Sequence, residues 1–573
     1  MTTASPHTTA PDKELTRLLH ELSAPGLAFS DQVLAALDEQ EAFPADAIRE
    51  LDAFGLPRYY VPAEHGGALD DFGTIVRLLR AVSRVDLTVA AAHGKTYLGA
   101  VSTWIAGEPG QAARLARHIR EGAVVSCALT ERHHGSDLLA GEVTAQPVAE
   151  GNGGWRLTGE KWLINNVTRA DQVTVLARTD PAGGPRGFSL FLVDKSRLAP
   201  GALNHLPKVP TYGIRGADIS GIVFRDAVLP ADALIGEPGQ GVEIILKALH
   251  VTRTGCVGMS LGAGDRALEL AARFMTQASS QGRRPAELPC VRREMGEAVA
   301  ALLLAESLGM VAARSVHALT GEMSVVSAVA KAHVPAQVDG LIARLLQLLG
   351  PYGLLDADPH RRFAKLERDH RIIGIFDGSS FVNRNALIEQ FPRLARSYRK
   401  GRWDEEGLAE ATDPRAPLRP FRPQELRLIS GTGASVVASL PAAVAQVHDL
   451  AGSSASHRLV DLAERLRGAT DRLHEAMAAV RFSPRAVPGH AFELAERFEL
   501  CFAAASALHL WLRGPAVTDE ARLRGCLVKA LTDLDEPVDE ADREDLDALA
   551  DALLSAPPGT VPSLLDSWEG TTR

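Results

Sequence analysis

A carboxylate stands directly before a glycine and two hydroxyls in Ile375, Phe376, Asp377, Gly378, Ser379 and Ser380, after Glu367, Arg368 and Asp369 and ahead of Asn383 and Arg384. Alone, an Asp-Gly-Ser run is a solvated turn; as chemistry it is a candidate proton acceptor. A second run, Ala128 to Asp137, brings Thr130, Gly135 and Ser136 close together. Two hydroxyls and a glycine-freed backbone suit a phosphate or a flavin edge, because successive N–H groups make an anion nest; the plain alternative is a turn leading into a strand. A third block runs from Gly159 to Asn166, with Ala170 and Asp171 after it. His133 and His134 have no partner at metal-ligand spacing, so no metal is expected. Ser430, Gly431, Thr432 and Gly433 open like a dinucleotide fingerprint, but position 436 is valine and no strand precedes, which leaves a helix-starting turn.

These residues need elements to hold them. From residue 14 to 120 apolar residues recur at helical spacing, as in Leu15, Leu18, Leu19 and Leu22, and predict an N-terminal helical domain behind a polar, disordered start over residues 1–13. Between 121 and 235 the pattern changes to short alternating runs (155–164, 173–179, 188–193, 219–224) with Gly and Pro between them, which predicts a small middle β domain. Over 236–400 long helices return at 242–278, 291–319, 323–349 and 381–399, an antiparallel four-helix bundle with Pro335 as a kink. A Pro-, Asp- and Arg-rich linker (401–424) leads to an extra helical domain (425–573), acidic between Asp533 and Asp551, where a solvated face is expected. The fold class is thus α+β, mostly α.

Composition narrows the function. The 573 residues carry a net charge of -10, with 46% hydrophobic and 23% charged residues, which speaks for a soluble globular chain and against a nucleic-acid binder. The uncharged stretch 428–447 is too rich in Gly, Ser and Pro to span a membrane. No secretory pattern opens the chain, so a cytoplasmic enzyme is expected. The five cysteines lie far apart without a Cys-x-x-Cys pair and read as buried reduced thiols.

The order and spacing of these motifs carry more than any one of them. Together with Gly213, Arg215, Gly216, then Gly236, Glu237, Gly239, Gly241, then Arg253, Gln347, Gly350, Gly353, Arg368 and Asp369, they resemble the acyl-CoA dehydrogenase flavoprotein family over residues 14–400. The resemblance implies FAD as cofactor, with Leu129 and Thr130 at the flavin and Gly135 and Ser136 near phosphates. It extends the cofactor set to Ile164, Asn165, Gln347, Gly350, Phe376, Ser379 and Phe381. Where the family has Trp, Ile and then a hydroxyl, this chain has Leu163, Ile164 and Asn165, so the aromatic wall is missing or supplied by Trp162 and Asn165 stands in for a donor to flavin N5. A homodimer or homotetramer is also implied.

Desaturating a thioester removes an α-proton while a hydride leaves the β-carbon, so base and flavin must bracket the bond. The family base is Glu; the matching residue is Asp377, while the alternative helix position is Thr252, which cannot serve. Losing a methylene retracts the carboxylate by about 1.5 Å. Arg253 matches a family arginine that keeps the base ionised. The expected activity is dehydrogenation of an acyl thioester, on coenzyme A or a carrier protein, in a specialised biosynthetic pathway, with the electron acceptor left open. The rivals are a carbanion-based cyclisation or elimination on the same fold, a flavin-dependent monooxygenase, and a non-catalytic binding module.

Overall fold

The computed structural model describes residues 10–148, 153–278, 282–355, 361–453, 455–481, 483, 486–514, 519–557 and 559–564. They fall into two compact units, one holding the chain up to Gly262 with Phe421–Gln424, the other Ala263–Pro420 with Glu425 onwards.

The first unit begins with helices α1 (Pro11–Leu22), α2 (Asp31–Glu39), α3 (Ala45–Phe54), α4 (Phe72–Val85), α5 (Leu87–Ala106) and α6 (Pro109–Arg120). Helix α1 starts inside the stretch expected to be disordered, with proline in its first turn where a missing N–H costs nothing; residues 1–9 lie outside the described ones. Asp71 and Asp86 cap α4 and α5 by accepting from Gly73 and Val89 N–H groups. The strands are β1 (Val125–Ala128), β2 (Thr144–Pro147), β3 (Gly154–Asn165), β4 (Gln172–Arg178), β5 (Phe188–Asp194), β6 (Leu203–Leu206), β7 (Ile219–Pro230) and β8 (Leu234–Ile235). They pair in the order β6-β7-β3-β2-β4-β5-β8, with β1 parallel to β4. Val173, Val175, Phe191, Val193, Ile222 and Phe224 fill the core of this domain. Helix α7 (Gly241–Gln277) follows, and its first part packs in this unit. A Cβ at Gly258 or Gly262 would meet the carbonyls of Val76 or Arg80 at 2.3 Å, so two glycines one turn apart let α7 lie backbone-close on α4.

The second unit contains α8 (Pro289–Ala318), α9 (Met323–Leu349), α10 (Arg361–His370), α11 (Ser380–Ile388), α12 (Phe391–Arg399) and α13 (Glu405–Thr412). The single helix expected over 381–399 is two: Pro392 has no N–H to give the Ile388 carbonyl, and the chain turns at Glu389 and Gln390. The linker holds α13, whose Gly407 lets it approach the Ala318 carbonyl. Helix α8 is long and apolar enough to cross a membrane, yet nearly all of that stretch is buried inside the fold.

The extension adds α14 (Ser435–Ala438), α15 (Leu440–Asp449), α16 (His457–Ala479), α17 (Gly489–Arg513), α18 (Glu520–Asp533) and α19 (Glu540–Ser555). Its acidic segment is solvated only in part, with Asp535, Glu540 and Asp551 exposed. Asp542 and Asp545 on α19 are buried and paired with Arg458, Arg465 and Arg524, and Arg293 on α8 grips Asp547 with Nε–Oδ1 at 2.8 Å. Gly296 brings α8 against the Leu546 carbonyl. The cysteines are all free, but Cys290 is exposed and Cys127 half-buried, which corrects the expectation that all five are buried.

Candidate active site

The expected site residues divide between the two units. In the first, β1 runs out at Ala128 and the loop beyond it is bolted to β3. Thr130 Oγ1 donates to the Trp162 carbonyl at 2.7 Å, and Trp162 N–H returns a bond to the Thr130 carbonyl at 3.0 Å. Beneath them Lys161, 2% exposed, donates to Glu131 at 2.7 Å and to the Leu129 carbonyl at 3.0 Å. Glu131 also accepts from the N–H groups of Glu142 and Val143. Burial pushes the Glu131 carboxyl up, but Lys161 and those two N–H groups outweigh it and hold the carboxyl below its ordinary value. Burial lowers Lys161 against the pull of Glu131.

This bolt leaves the tip of the loop open. Gly135 and Ser136 are exposed, and a Cβ at Gly135 would meet nothing within 4 Å, so the backbone there is accessible to a ligand. On β3 the register slips between Trp162 and Ile164, and Leu163 at the bulge takes φ +59° and stands 44% exposed. Ile164 packs into the β core, and the Arg132 guanidinium lies 4.7 Å over the Trp162 ring. The side chain presented outward at the bulge is therefore Leu163, which sequence reasoning passed over as a mere absence of Trp.

Asn165 differs from its expected role. Its amide nitrogen donates to the Ala91 carbonyl at 3.2 Å, and since a carbonyl only accepts, Oδ1 must face the other way. That oxygen is buried with no hydrogen-bond partner among the described residues, so the position expected to donate presents an acceptor. Arg253 is buried on α7 beside Thr252, whose Oγ1 is likewise without a partner there.

In the second unit Asp377 sits in the turn between α10 and α11 at φ +56°, followed by Gly378 at +95°. Asp is among the few side chains that tolerate this left-handed region. Ser379 caps α11, its Oγ accepting from Val382 N–H, and Phe381, 65% exposed, stacks on Phe492 of α17 at 4.7 Å. Phe376 lies 5.7 Å from the buried Lys331 ammonium. Gln347 is exposed near the end of α9, and its carbonyl accepts from Gly350 N–H. Gly350 at φ +58° has open space around it, so its backbone conformation, not crowding, requires glycine.

The chain matches the family models of the acyl-CoA dehydrogenase N-terminal domain over residues 28–123, middle domain over 126–227 and C-terminal domain over 239–391. It belongs to the acyl-CoA dehydrogenase family. This is a family of oxidoreductase enzymes. Human mitochondrial short-chain specific acyl-CoA dehydrogenase is 29% identical over 373 residues, 64% of this chain and 86% of the relative. The structure of an acyl-CoA dehydrogenase complexed with FAD from Bacillus anthracis superposes with a TM-score of 0.66 at 19% identity, covering 99% of this chain and 92% of that one. The prolyl acyl carrier protein oxidase AnaB gives a TM-score of 0.59 at 21% identity, over 67% of this chain and 99% of that one. The acyl-CoA dehydrogenase fold thus covers the extension as well as the three matched domains.

Leu163 and Asn383 were named in the sequence without a role, and Lys331 was not named at all. The signal for Lys331 was present: a lone lysine inside the apolar run Val325 to Val334 of a helix.

Proposed function

We propose that this chain is an FAD-dependent dehydrogenase of acyl thioesters in which Asp377 takes the α-proton. The observation that carries it is the Asp377 turn: a carboxylate held at φ +56°, next to Gly378, in the matched C-terminal domain of an acyl-CoA dehydrogenase. Strained backbone of this kind persists where the surroundings over-determine it, and it clusters at functional sites.

The residues present fit a flavin. The open Gly135–Ser136 backbone offers N–H groups to phosphate, and the buried Asn165 Oδ1 is a polar atom awaiting a donor. FAD, when bound, supplies the two-electron acceptor that takes the β-hydrogen as hydride. Asp377 accepts the proton from the α-carbon, so the thioester loses one proton and one hydride and gains the α,β-double bond. Arg253 is the buried cation assigned to this reaction.

The acyl group is carried by coenzyme A or a carrier protein, and the substrate belongs to a specialised biosynthetic route. Asp in place of the family Glu and Leu163 in place of an aromatic wall both support a substrate other than a simple fatty-acyl thioester. A homodimer or homotetramer completes the proposal. The test is anaerobic titration of the purified flavoprotein with panels of acyl-CoA and acyl-carrier-protein thioesters. A matching thioester bleaches the flavin and yields the enoyl product, and Asp377→Asn abolishes bleaching while keeping FAD. Turnover without bleaching indicates the cyclisation or elimination chemistry instead.

A further inference from the structure

Lys331 on α9 is 0% exposed, and its Nζ donates to the carbonyl of Ile373 at 2.6 Å and to that of Gly378 at 3.2 Å. Those two carbonyls bracket the turn that carries Phe376 and Asp377. From the other side Asn383, also buried, donates its Nδ2 to the Gly378 and Ser379 carbonyls, each at 2.9 Å. Inside the arch Ser380 N–H bonds to the Gly374 carbonyl at 3.2 Å. The turn is thus tied at its start by Lys331 and at its end by Lys331 and Asn383 together.

A buried ammonium is a costly way to fill space in an apolar helix, where leucine or methionine would pack without desolvation. Lys331 does what neither can: one group donates to two carbonyls five residues apart while its cation faces the Phe376 ring at 5.7 Å. Asp377 and Gly378 are both left-handed, and the contacts from Lys331 and Asn383 fix where that turn points its carboxylate. A carboxylate already one methylene shorter than the family base has little slack, since about 1 Å of misplacement costs on the order of 10²-fold in rate.

We propose that Lys331, with Asn383 as its second support, is the positioning residue that fixes Asp377 for α-proton removal; this rests on Asp377 being the base. Lys331 does not touch the reacting atoms and acts only through the turn.

The experiment compares holoenzyme variants by anaerobic flavin bleaching, using whichever thioester of the two panels bleaches the wild type fastest. Lys331→Met should keep its FAD and hold KM within about threefold, yet bleach on the order of 10²-fold more slowly. In the Asp377→Asn background the same substitution should alter the residual rate less than about twofold, because a residue acting through the base has nothing left to position. A general structural role would slow both backgrounds alike, and that result overturns the proposal, as does an unchanged rate in Lys331→Met. Should Lys331→Met fail to accumulate as folded flavoprotein, Asn383→Ser carries the same two-background comparison with the same deciding outcomes. Full-speed bleaching by Asp377→Asn sinks the base assignment and the proposal with it. A dead Asp377→Asn beside an unimpaired Lys331→Met sinks the proposal alone.

Discussion

Two buried lysines hold the two site loops, Lys161 with an ion pair and Lys331 with hydrogen bonds to two carbonyls across a turn. Lys161 in the β domain is paired with a buried carboxylate, Glu131, and ties the Leu129–Glu131 segment to β3. Lys331 in the helical unit is bound to carbonyl dipoles and an aromatic face, and ties the arch around Asp377. A non-glycine residue in the left-handed region stands close in sequence or structure to each lysine, Leu163 two residues after Lys161 on β3 and Asp377 in the arch held by Lys331. An ion pair fixes a loop strongly but is ruined by losing one member. Dipole contacts are individually weaker, and their loss displaces a turn without stranding a full charge.

The largest expected effect is therefore at the ion pair. Glu131→Gln leaves the Lys161 ammonium buried without its counter-charge and should destabilise the β domain by about 3–5 kcal/mol. Hydrogen exchange in β3 measures this locally, since a chain of two units is not a two-state unfolder. The double variant Glu131→Gln with Lys161→Met should recover most of the loss; a single variant costing under about 1 kcal/mol would break the contrast.

Acid gives the next effect, and it falls on the extension. Burial pushes His474 on α16 and His509 on α17 down to about 4, against the hydrogen bonds of His474 to the Thr470 carbonyl and of His509 to the Val436 carbonyl. A depressed histidine stabilises above its unfolded value near 6.5, and that contribution is lost as pH falls through about 4. Each is worth on the order of 3 kcal/mol by linkage. Glu499, pushed up to about 7 by burial against the pull of Arg384, runs the other way: its contribution is present below the ordinary carboxylate value and lost as pH rises towards 7. Protection of α16 and α17 amides, with exchange corrected for its intrinsic pH dependence, should fall between pH 6.5 and 4, by less than the two histidines alone would give because Glu499 opposes them, and His474→Gln with His509→Gln should flatten that slope. An unchanged slope would show that these histidines do not titrate on unfolding.

Much of the fold was readable before any coordinate. The helix expected over 323–349 has those bounds, and the strand expected over 155–164 became β3. Both have strong periodic patterns. The strands of four residues or fewer escaped because two alternations are no pattern, and α12 separated from α11 because a proline at its second position outweighed continuous helical spacing. The acidic helix α19 looked solvated throughout because its arginine partners lie far away in sequence, as Arg293 does from Asp547. In the candidate site, Asp377 and the Gly135 loop stood out by residue type. Leu163 and Lys331 did not, because one is defined by a backbone angle and the other by what its ammonium reaches across the turn.

Lys331→Met tests the second lysine. It removes a donor from neutral carbonyls, so its cost to stability should be about 1–3 kcal/mol, below that of Glu131→Gln, while its effect on the reaction is the larger. Hydrogen exchange in α9 and α11 beside the bleaching rate checks both numbers on one preparation. If Lys331→Met cost as much stability as Glu131→Gln, the two lysines would be equivalent structural bolts.

The smallest effect tests the left-handed residues themselves. Asp377 is a side chain that accepts φ +56°, so Asp377→Asn should leave stability within about 0.5 kcal/mol. Leucine pays roughly 1–2 kcal/mol for the same region, and at 44% exposure Leu163 recovers little of that through burial. Leu163→Asn should then raise the local stability of β3 by about 1 kcal/mol, read again by hydrogen exchange. A variant that is more stable but loses FAD on dilution, or binds thioester more weakly, identifies the outward leucine as a contact kept at a cost in stability. A variant that gains stability and loses nothing would show that the bulge serves only to turn the strand, and that of the two left-handed residues Asp377 alone is there for chemistry.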